Sequence, residues 1–219
     1  MNLVIFGESG LGHEILDLVQ QMQEAGKKTY DVIVFADDAE DKTEYNGYKT
    51  LPPELIFNQY SPNTTRFVLA IGEPATRTRV IRRIREKGYN FETLIHPSSY
   101  VGLNSIIGEG TVIQRDVFVS CDCVIGNNCL IQPSSNVGHN ACIGENCVIS
   151  TNCAISGDVG IGSGTYIAVG VSVIQGANIG QDTVLGMASV VTRDIPDNVV
   201  ALGNPARPMK YKDGGKVFK

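Results

Sequence analysis

Two periodicities divide this chain. Up to about residue 94, short apolar runs alternate with segments whose apolar residues recur at helical spacing. Residues 2–6, 31–35 and 66–71 read as strands, with 91–95 a shorter fourth. Residues 13–25 read as a helix, with Ile15, Leu16, Leu18, Val19 and Met22 on one face and Gly26 past the end. Residues 74–87 repeat that pattern, with Pro74 in the first turn and Gly88 beyond the last. Strands and helices in alternation predict a parallel sheet covered by helices, a small Rossmann-like α/β domain over residues 1–94.

From Ile95 onward the period is six. Stepping by six residues from Ile95 to Val191 meets seventeen positions, and every one is Ile, Val or Leu. The next residue is Gly in eight cases, and the residue four after is small in every repeat except the last, which has Ile195. Each hexapeptide supplies one short strand and a turn, and three make a triangular coil of 18 residues. The aliphatic side chain points inward and the small residue fills a corner. This pattern predicts an all-β left-handed parallel β-helix, running from residue 95 to about Pro196 and closed by a C-terminal cap up to residue 219. Cys123, Cys129, Cys147 and Cys153 fall on the small position, which favours corner fillers over metal ligands. Cys121 and Cys142 fall off it and receive no role.

Composition narrows the function classes. Eighteen basic against 23 acidic residues give a net charge of −5, and without a basic cluster no nucleic-acid partner is expected. No stretch approaches the ~20 apolar residues of a membrane span, and the first residues lack the basic start of a signal peptide. The expectation is a cytoplasmic protein with free thiols. A zinc carbonic anhydrase β-helix would need three converging histidines, and the repeat holds only His96 and His139.

Five stretches carry a resemblance that covers nearly the whole chain. They are Val4-Ile5-Phe6-Gly7-Glu8-Ser9-Gly10-Leu11-Gly12-His13-Glu14, the pair Asp37-Asp38, Ala70-Ile71-Gly72 followed by Arg77, Ile95-His96-Pro97-Ser98, and the exit from Val191-Thr192-Arg193-Asp194-Ile195-Pro196 to Gly203-Asn204-Pro205-Ala206-Arg207-Pro208. On these the chain resembles the hexapeptide-repeat sugar acetyltransferases of the sialic-acid O-acetyltransferase and nucleotide amino-sugar N-acetyltransferase type. The resemblance implies acetyl-CoA as co-substrate, no metal, and a homotrimer with CoA in the groove between neighbouring β-helices. It also implies a nucleotide-linked sugar as acceptor and a place in polysaccharide biosynthesis.

The same resemblance assigns residues. His139, on an outward turn, matches the family's catalytic base, a role suited to an imidazole near neutral pH. Many of the amino-sugar enzymes have an acidic residue directly after it and a second histidine nine positions on; here Asn140 and Val148 stand there, so Asn140 or a backbone carbonyl is the expected orienting group. The Gly157 N–H is the expected oxyanion donor. CoA is expected along Gly157, Ala168 and Gly186, with Arg207 and Lys210 near its phosphates, although Lys210, Lys212, Lys216 and Lys219 also read as a solvated tail. The loop Gly7-Glu8-Ser9-Gly10-Leu11-Gly12 departs from dinucleotide spacing, so NAD is not expected. A glycine loop opening a helix still suits a phosphate. The resemblance gives the substrate's nucleotide to Ser9, Gly10, Gly12, Asp37 and Asp38, with Gly72 beside them; the residues alone leave open a tight turn and a solvated acidic loop. The expected reaction is acetyl transfer to the 4-amino group of a nucleotide-linked amino-deoxysugar. The alternatives are sugar O-acetylation, and a non-catalytic β-helix that binds sugar nucleotides.

Overall fold

The computed structural model describes residues 1–39, 43–211 and 217. Its first unit runs β1 (Asn2–Phe6), α1 (Gly10–Glu24), β2 (Val32–Ala36), β3 (Glu44–Tyr45), β4 (Tyr48–Leu51), α2 (Pro53–Gln59), β5 (Thr65–Leu69), α3 (Pro74–Glu86) and β6 (Asn90–Phe91). The strand order is β3-β4-β2-β1-β5-β6, parallel except for the β3–β4 hairpin. Along β1, Leu3 and Ile5 pack toward α1, whereas Val4 and Phe6 pack toward α2 and α3, as a strand covered on both faces requires. From β1 the chain crosses to β2 on one side, and from β5 to β6 on the other. The order therefore reverses between β1 and β5, and the loops following them open onto the crevice where such sheets bind ligands.

Three departures from the hydrophobic pattern have local causes. Helix α1 begins at Gly10 rather than residue 13, because the glycine loop is already helical. Residues 91–95 are two elements: β6 pairs with β5, while Leu94–Ile95 pairs with the next coil of the β-helix. The β3–β4 hairpin and the seven-residue α2 are too short to carry a period.

Among the described residues, seventeen two-residue strands follow at six-residue intervals, from β7 (Leu94–Ile95) to β23 (Val190–Val191). They form a left-handed β-helix with three parallel faces. Face 1 stacks Leu94–Ile95, Val112–Ile113, Leu130–Ile131, Val148–Ile149, Tyr166–Ile167 and Val184–Leu185, and is extended by β24 (Val199–Gly203) and the antiparallel β25 (Ala206–Tyr211). Face 2 runs from Tyr100–Val101 to Val190–Val191, and face 3 from Ile106–Ile107 to Asn178–Ile179. The second residue of each strand fills the interior. The corner cysteines do more than fill space. Each thiol donates to a carbonyl fifteen residues on, as Cys123 Sγ to Gly138 O and Cys129 Sγ to Gly144 O at 3.1 Å, and Thr111 and Ser135 do the same with hydroxyls. Where the small residue is Ser, Thr or Cys it thus adds a hydrogen bond between coils, and where it is Val or Ala it only fills the corner.

A second six-residue ladder follows from backbone geometry. From Asn104 to Ala188 every sixth residue has φ between +51° and +75°, and apart from Ser134 and Ala188 each is Asn, Asp or Gly. These residues tolerate the left-handed region, and each turn passes through it once.

The two units are joined along face 1. Helix α1 packs with one side on β1 and the other on outward residues Leu94, Val112, Leu130 and Val148. Helix α3 is tied to the corner between faces 3 and 1 by Arg77, which is fully buried. Its guanidinium donates to Ile71 O at 2.8 Å, to Asn146 Oδ1 at 3.0 Å and to Asn128 O. Burial lowers its pKa to about 10, opposed by the neighbouring Cys129 and Cys147. No helix among the described residues is long and apolar enough to cross a membrane.

Candidate functional site

His139 stands exposed on the turn between faces 2 and 3, where the column of equivalent turn residues reads Leu103, Cys121, His139, Gly157 and Gln175. Its ring lies over Gly157: a Cβ there would come within 2.6 Å of both Cε1 and Nε2. Only glycine at 157 leaves the imidazole in this position. The Gly157 N–H has no hydrogen-bond partner among the described residues. At the corner between faces 3 and 1 the equivalent N–H groups of Glu109, Glu145 and Gln181 are taken by Asn127 Oδ1, Ser163 Oγ and Asp197 Oδ1 from the following coil. Among the described residues the His139 imidazole and the Gly157 N–H beneath it, like the N–H groups of Leu103, Cys121 and Gln175 in the same column, have no hydrogen-bond partner.

Asn140 makes no hydrogen bond to the ring among the described residues. It occupies a left-handed turn position (φ +59°), and its Nδ2 donates to Asp158 Oδ1 at 2.9 Å. Asp158, nineteen residues on but one coil away, stands on the adjacent rung to this histidine. Gln175 Nε2 donates to its other oxygen at 2.8 Å, and Asp158 N donates to His139 O at 2.8 Å. The hydrogen bonds from Asn140 and Gln175, and then the nearby His139, hold the Asp158 carboxyl below the usual carboxylate range. Large exposed apolar side chains line this corner on the two coils before His139: Tyr100 and Phe118 on face 2, their rings stacked at 5.3 Å, Leu103 on the turn, and Ile106 and Val124 on face 3.

The glycine loop lies elsewhere, at the carboxyl end of β1. Gly7 (φ +110°) presses against Ala70 O, and any side chain at Gly12 would overlap Gly7 O, so these two glycines build the turn. Nothing stands near Gly10, and Ser9 makes no capping bond, which leaves the first N–H groups of α1 open. Gly72 lies just past β5, across the crevice. Asp37 turns into the loop, accepting from Glu8 N at 2.8 Å and Ala39 N at 2.9 Å. Asp38 pairs instead with Arg83, at 2.9 Å. The sequence reading also missed a cluster beside the loop. His13 Nε2 meets Glu8 Oε1 at 2.7 Å while its ring stacks on Tyr45 at 3.4 Å, and Tyr45 comes from the unforeseen hairpin.

Between α1 and the corner joining faces 1 and 2 lies a cavity of about 400 Å³, bordered by Glu14, Asp17, His96, Gln114, Arg115 and Ser134. Gln114 Oε1 is buried without a hydrogen-bond partner, and Gln114 Nε2 donates to Glu14 Oε2 at 3.2 Å. Ser98 N donates to His96 Nδ1, which leaves Nε2 as the donor to Gln21 Oε1 at 2.8 Å. Burial lowers the His96 pKa, in keeping with that neutral ring. Ala168 and Gly186 lie one coil apart further along this corner, with Gly186 against Leu202 of β24. Arg207, half-buried, and Lys210, exposed, lie on β25; Lys212, Lys216 and Lys219 lie outside the described residues. The expected CoA contacts are thus split between two corners of one chain, with Gly157 on the second and Ala168 and Gly186 on the first.

Residues 2–84 match the family described as PglD N-terminal domain, and residues 122–157 the bacterial transferase hexapeptide family. The chain is 32% identical over 115 residues to UDP-N-acetylbacillosamine N-acetyltransferase of Bacillus subtilis, a match covering 52% of this chain and 51% of the relative. It spans about half the length of the curated relatives it matches. The acetyltransferase domain of PglB from Neisseria gonorrhoeae, solved with acetyl coenzyme A, superposes with a TM-score of 0.88 at 27% identity, covering 95% of this chain and 98% of that one. PerB from Caulobacter crescentus, solved with CoA and GDP-perosamine, gives 0.84 at 29% identity over 96% and 98%. With its α/β unit, its unbroken β-helix and these matches, the chain is similar in both of its units to the hexapeptide-repeat sugar acetyltransferases.

Proposed function

We propose that the chain transfers an acetyl group from acetyl-CoA to the 4-amino group of a nucleotide-linked amino-deoxysugar. The observation that carries this reading is the pairing of the exposed His139 imidazole with the unpartnered Gly157 N–H on one corner. Acetyl-CoA supplies the thioester when bound. His139 takes the proton that the amine loses as it attacks and returns it to the departing thiol. The Gly157 N–H donates to the carbonyl oxygen as negative charge builds there.

The acceptor's diphosphate is placed at the open N-terminus of α1, at Ser9 and Gly10, with Asp37 shaping the loop. The sugar ring then extends along the first turns of α1 into the cavity, where Gln114 Oε1 awaits a hydroxyl or amine donor. That cavity and His139 belong to different corners of one chain, yet Ser134 and His139 lie in the same coil. A cyclic trimer whose axis parallels the β-helix keeps residues of one coil at one height, so it brings His139 of one subunit beside the cavity of the next. The exposed apolar residues around His139 supply the contact surface, and Arg207, Lys210, Ala168 and Gly186 fall on the other wall of the same groove.

The test is release of CoA thiol from acetyl-CoA against a panel of UDP-, GDP- and dTDP-linked sugars carrying an amine or a hydroxyl at C4. Turnover with a 4-amino member is the expected result. Turnover only with hydroxyl members would replace the reading with O-acetylation, and turnover with none would refute it.

A further inference from the structure

We propose that Asp158 is a positioning residue for the base: its fixed negative charge, supplied from the next coil, stabilises the imidazolium of His139 during proton transfer. The inference rests on the reading of His139 as base. Both carboxylate oxygens are held, Oδ1 by Asn140 Nδ2 at 2.9 Å and Oδ2 by Gln175 Nε2 at 2.8 Å, so the charge has little freedom to turn away. The backbone bond from Asp158 N to His139 O, at 2.8 Å, sets the two residues on adjacent rungs. An amide–carboxylate rung recurs lower on this corner, between Asn104 Nδ2 and Asp122 Oδ1 at 3.0 Å. What distinguishes Asp158 is the second amide and the histidine preceding its rung partner. The mutual influence already shows in the depressed Asp158 carboxyl, to which His139 contributes after the two amides. Electrostatic coupling is reciprocal, so an anion stabilised by the imidazolium stabilises the imidazolium equally. Other ionisable side chains on the same corner are Cys121 and Asp122, one coil below, Cys142 on the adjoining strand of face 3, and Arg193 and Asp194, further along.

The sign of the test follows. With the carboxylate removed, the protonated base is less stable, and the acid limb of the kcat/KM profile moves to lower pH. Asp158→Asn suits the left-handed turn (φ +59°) and keeps an acceptor for Asn140; only the exposed bond from Gln175 loses its acceptor, so the fold is retained. The expected result is an acid limb lower by about half a pH unit and a plateau kcat/KM reduced about fivefold, with the KM for acetyl-CoA unchanged. Asp182→Asn replaces a residue in the same left-handed position on another corner, and its profile should overlay the wild type. The exchange Asn140→Asp with Asp158→Asn returns a carboxylate to the rung and should restore the acid limb. A purely structural rung predicts lowered melting temperatures and an unmoved acid limb in Asp158→Asn; that outcome, or an equal shift in Asp182→Asn, overturns the proposal. Full activity in His139→Ala would instead overturn the reading of the base on which it rests.

Discussion

Replacing His139 with alanine is expected to lower acetyl transfer by about 10²- to 10⁴-fold while acetyl-CoA binding is retained. The reason is geometric. His139 projects from the helix surface on a turn whose backbone is fixed by the left-handed residue Asn140 and by rungs above and below. Removing an exposed side chain from such a turn leaves no cavity, so stability should change by less than about 0.5 kcal/mol. Calorimetric binding of acetyl-CoA beside a thiol-release assay separates the two effects. Turnover within tenfold of wild type would contradict the assignment of the base.

The largest expected stability effect lies far from the chemistry. Arg77→Ala removes the side chain that ties α3 to the β-helix and strands the acceptors Ile71 O, Asn128 O and Asn146 Oδ1 in a buried junction. Each unsatisfied acceptor costs roughly 1–3 kcal/mol, and the vacated volume adds to this, so a loss of about 3–5 kcal/mol is expected. For a chain of this size that corresponds to a fall in Tm on the order of 10 °C, measured by circular dichroism. Arg77→Lys should recover little, because a single ammonium cannot reproduce the fork that reaches three separate acceptors.

How legible these features are in the sequence depends on how far each is from a strict period. The β-helix is readable residue by residue, since every inward aliphatic from Ile95 to Val191 falls on the second position of a strand. The α/β unit is readable where strands carry continuous apolar runs, as at residues 3–6 of β1 and 67–69 of β5, and fails at the β3–β4 hairpin and α2, whose few residues carry no repeat. Within the site, His139 stands out as a lone histidine in the body of the repeat. Asp158 does not, because its proximity arises from an 18-residue coil that places position 158 directly over 140. That signal was present as a ladder of Asn, Asp and Gly every six residues. Read as turn geometry, the ladder explains why Asn140 is an amide and where its partner must lie. Asp37 and Asp38, neighbours in sequence at a strand end, take different partners that adjacency alone does not reveal, one in the loop and the other Arg83.

If acetyl transfer occurs at a site assembled from two copies of the chain, one giving His139 and the other the glycine loop and cavity, two differently disabled copies should complement each other. Mixing two inactive variants, His139→Ala and one disabled at the acceptor side by Gly10→Glu with Gln114→Leu, tests it directly. After subunit exchange in equal amounts, a shared site predicts recovery of about a quarter of wild-type activity, the share of interfaces that join two intact halves in a cyclic trimer. A mixture that exchanges subunits yet stays inactive would contradict a shared site.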